Sequence, residues 1–222
     1  MQTTMVCFEL DQPTTGTPTH LRGYIASRFP EYELLHQHEK NGTGLHYVYP
    51  KVQYKMLDGI PLITGLDEGA STVKIVAEQI DCLSLAGTIY KIIGKRIIEK
   101  AIILSVTNEP ASYSFLTPWL ALNEKNYETY QMLGGWAKKK DLLEKILIGN
   151  LISMSKSLGY TVPAPIEANI HHLKEVKTSL KSTPMLGFLG TFSVNFEIPD
   201  YWGIGKSVSR GFGTVVKVNS DQ

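Results

Sequence analysis

Two histidines separated by one residue are the clearest candidates for chemistry in the sequence. His36 and His38 lie in the segment LLHQHEKNGTGLHYVYPK, ahead of a tyrosine-rich run. An imidazole with an unperturbed pKa of about 6.5 exchanges protons near neutral pH, so two of them can share the roles of general base and general acid. Residues two apart face the same side of an extended segment. The pair therefore fits acid-base work on one reacting group.

Metal binding is a second interpretation of the same pair. The His-x-His pattern occurs among metal ligands, and Glu33, Glu39 or Asp58 would complete a site. Surface histidines without a chemical role are a third. The pattern alone leaves these interpretations open.

A glycine-rich segment near the C-terminus is the second feature suited to chemistry. It runs GIGKSVSRGFG over residues 203–213 and precedes the β-rich run TVVKV. A Walker A loop would need glycine where Asp200 stands, and a dinucleotide fingerprint would need glycine in place of Val208. What remains is a loop with two cations, Lys206 and Arg210, in which absent side chains let backbone N–H groups approach a phosphate. A structural turn between two strands is the alternative.

The elements that must carry these residues alternate between strands and helices in the first half. The patterns predict a strand over 4–10, a helix from Thr17-Pro18 to Pro30, strands from 45 and over 60–66, a helix over 70–79, and strands over 83–93 and 97–107 separated by Gly94-Lys95-Arg96. This order is β-α-β-β-α-β, the ferredoxin-like arrangement with both helices on one face of an antiparallel sheet. His20, inside the first helix, is expected to be structural.

The second half repeats part of this order. Asn108-Glu109-Pro110 is the predicted boundary, which gives domains of residues 1–110 and 111–222. The following elements are a strand over 113–120, a helical region over 123–157 broken near Gly134-Gly135, and β-rich stretches over 166–181, 186–198 and 213–218. We therefore predict an α+β fold of two tandem ferredoxin-like (RRM-like) domains, the second with a degenerate helix pattern and a C-terminal glycine-rich loop.

Composition excludes several classes of protein. With 222 residues, 43% hydrophobic and 19% charged, the chain can bury a core and is not disordered. Its two cysteines form no CxxC pair, which excludes a cysteine zinc site and a disulfide scaffold. No apolar run approaches the roughly 18 residues of a membrane span, so a cytoplasmic protein is expected. The net charge is only +1, yet residues 201–218 hold three cations and no carboxylate, a local surface suited to a phosphate backbone.

The glycine-rich segment resembles the C-terminal loop of the repeat-associated RNA-binding superfamily (RAMP) of CRISPR systems. The Gly203-x-Gly205 spacing, the cationic centre and the Gly211-Phe212-Gly213 triplet leading into a strand all agree with that family. The tandem ferredoxin-like layout extends the resemblance over nearly the whole chain. Within the superfamily the sequence is most similar to the repeat-processing endoribonucleases of the Cas-six type, in a compact branch with paired histidines after the first helix.

The resemblance implies an endoribonuclease that cuts precursor CRISPR RNA within its repeats, without a metal ion or any other cofactor. In that family the 2′-hydroxyl attacks its own adjacent phosphate and leaves a 2′,3′-cyclic phosphate and a 5′-hydroxyl. His36 and His38 are then the acid and base, and Tyr47 orients the nucleophile or stabilises charge. Lys51, or Lys40 in its place, neutralises the developing phosphorane.

RNA binding is expected from cations and from the glycine loop. The candidates are Gly203, Gly205, Lys206, Ser207, Ser209, Arg210, Gly211, Lys174 and Lys177. His171 and His172 are adjacent on a predicted strand and should point to opposite faces, toward RNA or solvent. The expected partner is CRISPR repeat RNA, while a homodimer and membership of an effector complex stay open. A non-catalytic RNA-binding subunit of such a complex, and an interaction domain outside CRISPR biology, are the alternative functions.

Overall fold

The computed structural model describes residues 1–36 and 48–218, which form two compact units. The first unit comprises Met1–Ile102 together with Val208–Gly211. The second comprises Ile103–Ser207 and the chain from Phe212 onward. A short piece of the glycine-rich segment therefore belongs to the N-terminal unit.

The first unit has the ferredoxin-like topology. In chain order it contains β1 (Gln2–Leu10), α1 (Pro18–Arg28), α2 (Glu33–His36), β2 (Val52–Leu57), β3 (Ile60–Leu66), α3 (Glu68–Gln79), β4 (Cys82–Leu85) and β5 (Thr88–Ala101). Its strands pair in the order β2-β3-β1-β5-β4, and every pairing is antiparallel. The β-α-β-β-α-β prediction is confirmed, with β4 as an additional short edge strand.

The core of the first unit lies between α1, α3 and one face of the sheet. Val6 of β1 is aligned with Ile63 of β3, and both side chains are buried on the helix-covered face. The cluster includes Val6, Phe8, Leu21, Ile25, Val73, Val76, Ala77, Leu83, Leu85 and Tyr90. Each buried aliphatic side chain of this kind contributes about 1.5–3 kcal/mol to folding, so the sheet is a firm support for α1.

A capping box fixes where α1 begins. The Thr17 hydroxyl accepts a hydrogen bond from the His20 N–H at 3.3 Å, and His20 Nδ1 accepts one from the Thr17 N–H at 3.2 Å. Pro18 occupies the first helical position, where its missing N–H costs nothing. The predicted helix start and the structural role of His20 are both confirmed.

The predicted turn at Gly94-Lys95-Arg96 is wrong. These residues lie inside β5, where they pair with Cys7, Phe8 and Glu9 of β1. The turn is at Ala86-Gly87, whose φ angles of 51° and 84° are both left-handed, as a two-residue hairpin requires. A short β4 and a single long β5 therefore replace the two strands predicted over 83–107.

The second unit repeats the topology with two helices between its first two strands. It contains β6 (Val106–Phe115), α4 (Glu124–Met132), α5 (Trp136–Ser157), β7 (Ala168–Leu180), β8 (Thr183–Phe196) and β9 (Val215–Lys217). Its strands pair in the order β7-β8-β6-β9. Between β8 and β9 the described chain has no α-helix and one turn of 3-10 helix, Val208–Arg210, called here the C-terminal turn. The prediction of tandem ferredoxin-like domains, the second with a degenerate helix pattern, is confirmed.

One strand of the second unit lies earlier than predicted. The sequence indicated a strand over 113–120, whereas β6 ends at Phe115 and includes Asn108-Glu109-Pro110. The pairing of β6 with β8 is irregular between Val106 and Ala111, which accommodates a proline that has no N–H to donate. Trp119 instead forms an isolated bridge with Phe188.

Helix α5 is the longest helix of the described chain, with 22 residues. Its buried side chains Leu143, Leu147 and Leu151 repeat every four residues along one face. Within residues 1–36 and 48–218, no helix combines the length and the apolarity that a membrane crossing requires.

Candidate active site

His36 is the last residue of α2, and side chains of α1 and β2 form hydrogen bonds with the backbone at this end of the helix. The Tyr54 hydroxyl of β2 donates a hydrogen bond to the Leu35 carbonyl oxygen at 3.1 Å. The Arg22 guanidinium of α1 donates a hydrogen bond to the His36 carbonyl oxygen. Carbonyls at a helix end have no partner within the helix, so these two bonds supply partners for the last two carbonyls of α2.

Tyr54 remains a hydrogen-bond donor across the biological pH range. Its side chain is buried, and burial raises the pKa of the hydroxyl far above its ordinary value, although the positive charge of Arg22 opposes this shift. A tyrosine that stays neutral keeps its proton available for the Leu35 carbonyl. The contact between β2 and α2 is therefore insensitive to pH.

Arg22 lies beside a second guanidinium. Burial lowers the pKa of Arg22, and the positive charge of Arg210 lowers it further. Arginine nevertheless stays charged in proteins because its reference pKa exceeds 12. Two positive charges, from α1 and the C-terminal turn, are therefore within electrostatic range of each other, and Arg22 also contacts the end of α2.

The C-terminal turn is packed tightly into the first unit. Val208 and Ser209 are buried, and Gly211 has a left-handed φ of 84°. A Cβ on Gly211 would lie 2.8 Å from Pro18 Cγ and 3.0 Å from the Tyr54 carbonyl oxygen. A glycine is needed there so that the chain can pass between α1 and β2 and hold Arg210 near Arg22.

The earlier part of the glycine-rich segment belongs to the second unit. Gly205 has a φ of 89°, and a Cβ on it would lie 2.6 Å from Trp119 Nε1. Gly203 forms an isolated bridge with Thr214. Lys206 is exposed, and Ser207 is half-buried. The glycines permit close packing of this segment, while Lys206 is presented at the surface.

Lys51, the predicted catalytic lysine, is paired with a carboxylate. Its ammonium group forms a salt bridge with Glu68 at the start of α3, and this hydrogen bond lowers the pKa of the Glu68 carboxyl. The side chain of Lys51 is 36% exposed. Lys51 thus lies immediately before β2, beside the β3–α3 junction, and part of its charge is balanced by Glu68.

Both halves of the chain match the models of one protein family. The Cas6b N-terminal domain model matches residues 1–103, and the Cas6b C-terminal domain model matches residues 105–218. The chain belongs to the Cas6b family.

Two solved structures agree with this assignment, and an uncharacterized protein is also similar in sequence. A crystal structure of Cas6b is 36% identical and superimposes with a TM-score of 0.86 over 98% of this chain and 100% of that one. A crystal structure described as the CRISPR RNA processing endoribonuclease Cas6b is 34% identical, with a TM-score of 0.77 and the same coverage. The uncharacterized protein MJ0978 of Methanocaldococcus jannaschii is 43% identical over 136 residues, which is 61% of this chain and 92% of that protein.

Some predicted residues of this Cas6b chain lie outside the described ranges. His38 and Tyr47 fall within residues 37–47, as do His46 and the alternative lysine Lys40. Of the proposed catalytic groups, the structure places His36 and Lys51. Of these two, His36 is the one whose backbone carbonyl accepts a hydrogen bond from Arg22, and the preceding carbonyl of Leu35 accepts one from Tyr54.

The predicted cations of β7 lie on the second unit of the Cas6b fold. Lys174 and Lys177 are exposed and are an odd number of residues apart in a regular stretch of strand, so they point to opposite faces. They cannot contact the same phosphate.

The alternation expected for His171 and His172 falls at an irregular place in β7. The pairing of β7 with β8 shifts between Ile170 and His172, which places a bulge at His171. A bulge adds one residue to a strand and re-aims its side chains. Both histidines are exposed.

Sequence reasoning missed Arg22 and Tyr54. Neither belongs to a motif, and each reaches the end of α2 from a different element. The capped start of α1 and the strand pattern of β2 predicted the elements that carry them, but only the packed fold brings the two side chains to Leu35 and His36.

Lys55 follows Tyr54 in β2 and is a buried amine. It is fully buried, its ammonium donates to Gln53 Oε1 at 3.0 Å, and burial lowers its pKa to about 7. The unfolded chain, with an ordinary lysine pKa of about 10.4, binds more protons than the folded one between these two values. The free energy of unfolding therefore rises with pH across that window and is lowest near pH 7 and below.

We expect Lys55→Met to remove this dependence. Relative to the variant, the parent should gain on the order of 2 kcal/mol in free energy of unfolding between pH 7.5 and 9.5. Urea denaturation at both pH values measures it, with the exposed Lys100→Met as the matched control. A parent-to-variant difference that stays constant with pH would show that Lys55 is charged in the fold.

Proposed function

We propose that this chain is an endoribonuclease that cuts CRISPR repeat RNA at one position in each repeat. Membership of the Cas6b family supports the proposal, as does the relative of 34% identity described as a CRISPR RNA processing endoribonuclease. The substrate is precursor CRISPR RNA, and the reaction needs no metal ion.

The proposed reaction is an internal transesterification. One imidazole of the pair His36 and His38 removes the proton from the 2′-hydroxyl of the nucleotide before the cut. The 2′-oxygen forms a bond to the adjacent phosphorus, and the bond from phosphorus to the 5′-oxygen breaks. The other imidazole, protonated at the start, gives its proton to the departing 5′-oxygen. The products carry a 2′,3′-cyclic phosphate and a 5′-hydroxyl.

Cations stabilise the charge that develops on the phosphorane. We assign this role to Lys51, with Lys40 as the alternative, and Tyr47 orients the 2′-hydroxyl. A positioned cation at the site of charge development is worth several kcal/mol. The salt bridge of Lys51 with Glu68 holds its ammonium near the β3–α3 junction, so RNA binding would have to draw Lys51 from that carboxylate.

Binding of the RNA backbone is assigned to the glycine-rich segment and to β7. Lys206 is exposed, and Lys206 and Arg210 form no ion pair with any residue that the structure describes, so both charges are available to phosphates. Lys174 and Lys177 lie on opposite faces of β7 and would contact separate stretches of RNA. Gly203, Gly205, Ser207, Ser209 and Gly211 shape the segment, and Ser209 is only 8% exposed.

The anchored end of α2 is the observation that supports catalysis most strongly. Acid-base catalysis requires groups held in a fixed geometry, and both the Leu35 and the His36 carbonyls are hydrogen-bonded to side chains of α1 and β2. These two contacts hold the backbone that carries His36 in one position.

The test is incubation with repeat RNA in EDTA. We expect cleavage at one position at an unchanged rate, with products that carry a 2′,3′-cyclic phosphate and a 5′-hydroxyl, because imidazoles perform both proton transfers. Sensitivity of the product to phosphatase before and after acid treatment, and labelling of the new 5′ end by a kinase, identify the termini. Loss of cleavage in EDTA, or a 3′-hydroxyl with a 5′-phosphate, contradicts the mechanism. Tight binding without cleavage supports the non-catalytic subunit instead.

A further inference from the structure

Two arginines far apart in sequence lie within electrostatic range of each other in the first unit, and among the described residues neither is paired with a carboxylate. Arg22 comes from α1 and Arg210 from the C-terminal turn; burial lowers the pKa of Arg22, and the positive charge of Arg210 lowers it further. Among the residues that the structure describes, neither guanidinium forms a salt bridge. The hydrogen bond from Arg22 goes to the His36 carbonyl, a neutral group.

Packing holds the two positive charges together against their repulsion. The buried residues Val208 and Ser209 fix the turn, and Gly211 fits against Pro18 and the Tyr54 carbonyl. Arg22 is itself half-buried, where charges are screened less than at an exposed surface. Two positive charges held near each other repel, which costs free energy. An anion that binds between them offsets this repulsion.

We propose that Arg22 and Arg210 together bind one phosphate group, and that in the RNA complex this is a phosphate at or next to the cut. Guanidinium groups bind phosphate oxygens in pairs through their planar fork of N–H donors. The hydrogen bond from Arg22 to the His36 carbonyl places the site beside the end of α2. The identity of the phosphate rests on the proposed function, whereas the anion site itself does not.

Thermal unfolding with inorganic phosphate tests the anion site without any RNA. The midpoint of unfolding of the parent should rise with phosphate more than with chloride at equal ionic strength, because phosphate binds only the folded site. Arg210→Gln should lose this phosphate-specific rise. In low salt without phosphate it should unfold at the same temperature or higher, because a repulsion is removed. Arg28→Gln, an exposed arginine at the end of the same helix, is the matched control and should keep the rise. An equal rise in the parent and in Arg210→Gln overturns the proposal.

RNA binding and single-turnover cleavage then identify the phosphate. Arg22→Gln and Arg210→Gln should each weaken transition-state stabilisation about tenfold or more, the usual effect of losing a charged hydrogen bond. Their double mutant should fall short of the product of the two effects, because both contact one group. Arg22→Lys should not restore the rate, because an ammonium lacks the planar fork. Independent effects that multiply would overturn the shared phosphate.

The two experiments separate this proposal from the proposed function. If the protein binds inorganic phosphate through Arg22 and Arg210 but does not cut RNA, the anion site is supported and the proposed cleavage mechanism is wrong. If Arg210→Gln cuts RNA at the parental rate and its response to phosphate is unchanged, the proposed cleavage mechanism stands. The anion site is then wrong.

Discussion

Replacing the ribose before the cut by 2′-deoxyribose is expected to abolish cleavage of the repeat RNA. The 2′-hydroxyl is the proposed nucleophile, so the modified RNA offers no oxygen to attack the phosphorus. Affinity should stay within a few-fold of the unmodified RNA, because backbone phosphates supply most of the binding. Single-turnover cleavage and a dissociation constant, measured on the same RNA, check both parts.

The matched control is the same substitution at the nucleotide after the cut. That hydroxyl takes no part in the reaction, and we expect its removal to leave the rate within a few-fold. Cleavage of the first modified RNA would mean that water is the nucleophile. Products with a 5′-phosphate would then favour the metal-binding interpretation of the His-x-His pair, in which a metal ion activates water.

Sequence signals that act over a few residues predicted several elements of this fold correctly. The Thr17-Pro18 start of α1, the break at Gly134-Gly135 and the succession of strands and helices along the first unit follow from capping, glycine placement and period-two alternation. The same signals gave the wrong turn in β5. Gly94 resembles a turn residue in sequence, yet it pairs with Glu9 across the sheet, and the real turn begins with Ala86, a residue without turn chemistry.

Only the proposed reactive groups of the candidate site could be chosen from the sequence, and their roles stay predictions. Histidine as a residue type indicates acid-base chemistry, because its reference pKa is near neutral pH. The glycine-rich segment indicates close packing. Arg22 and Tyr54 carry no such signal, because their role arises from contacts with His36 and Leu35, 14 and 19 residues away. The proximity of Arg22 and Arg210 depends on the chain returning to the first unit at its C-terminal turn, which no local pattern specifies.

Removing either histidine should impair chemistry more than binding. His36→Ala and His38→Ala should each lower the single-turnover rate by about 10²-fold or more, the usual contribution of a positioned acid or base. RNA affinity should stay within a few-fold of the parent, because the phosphate contacts assigned to Lys206 and Arg210 remain. His20→Ala is the matched control: it removes a histidine whose contacts serve the capping box of α1, so it should lower stability by about 1 kcal/mol and leave the rate within a few-fold.

The double variant His36→Ala/His38→Ala decides whether the two imidazoles act as a unit. If both act in one transition state, the double variant should be little slower than the slower single variant, because removing one partner already disables the concerted step. Rate losses that multiply would instead mean two independent contributions. Equal losses of affinity and rate would place both histidines among the RNA contacts. Full activity in both single variants would contradict the proposed mechanism and direct the search to His46, Tyr47 and His171, the next groups in this chain able to move a proton near neutral pH or to stabilise charge.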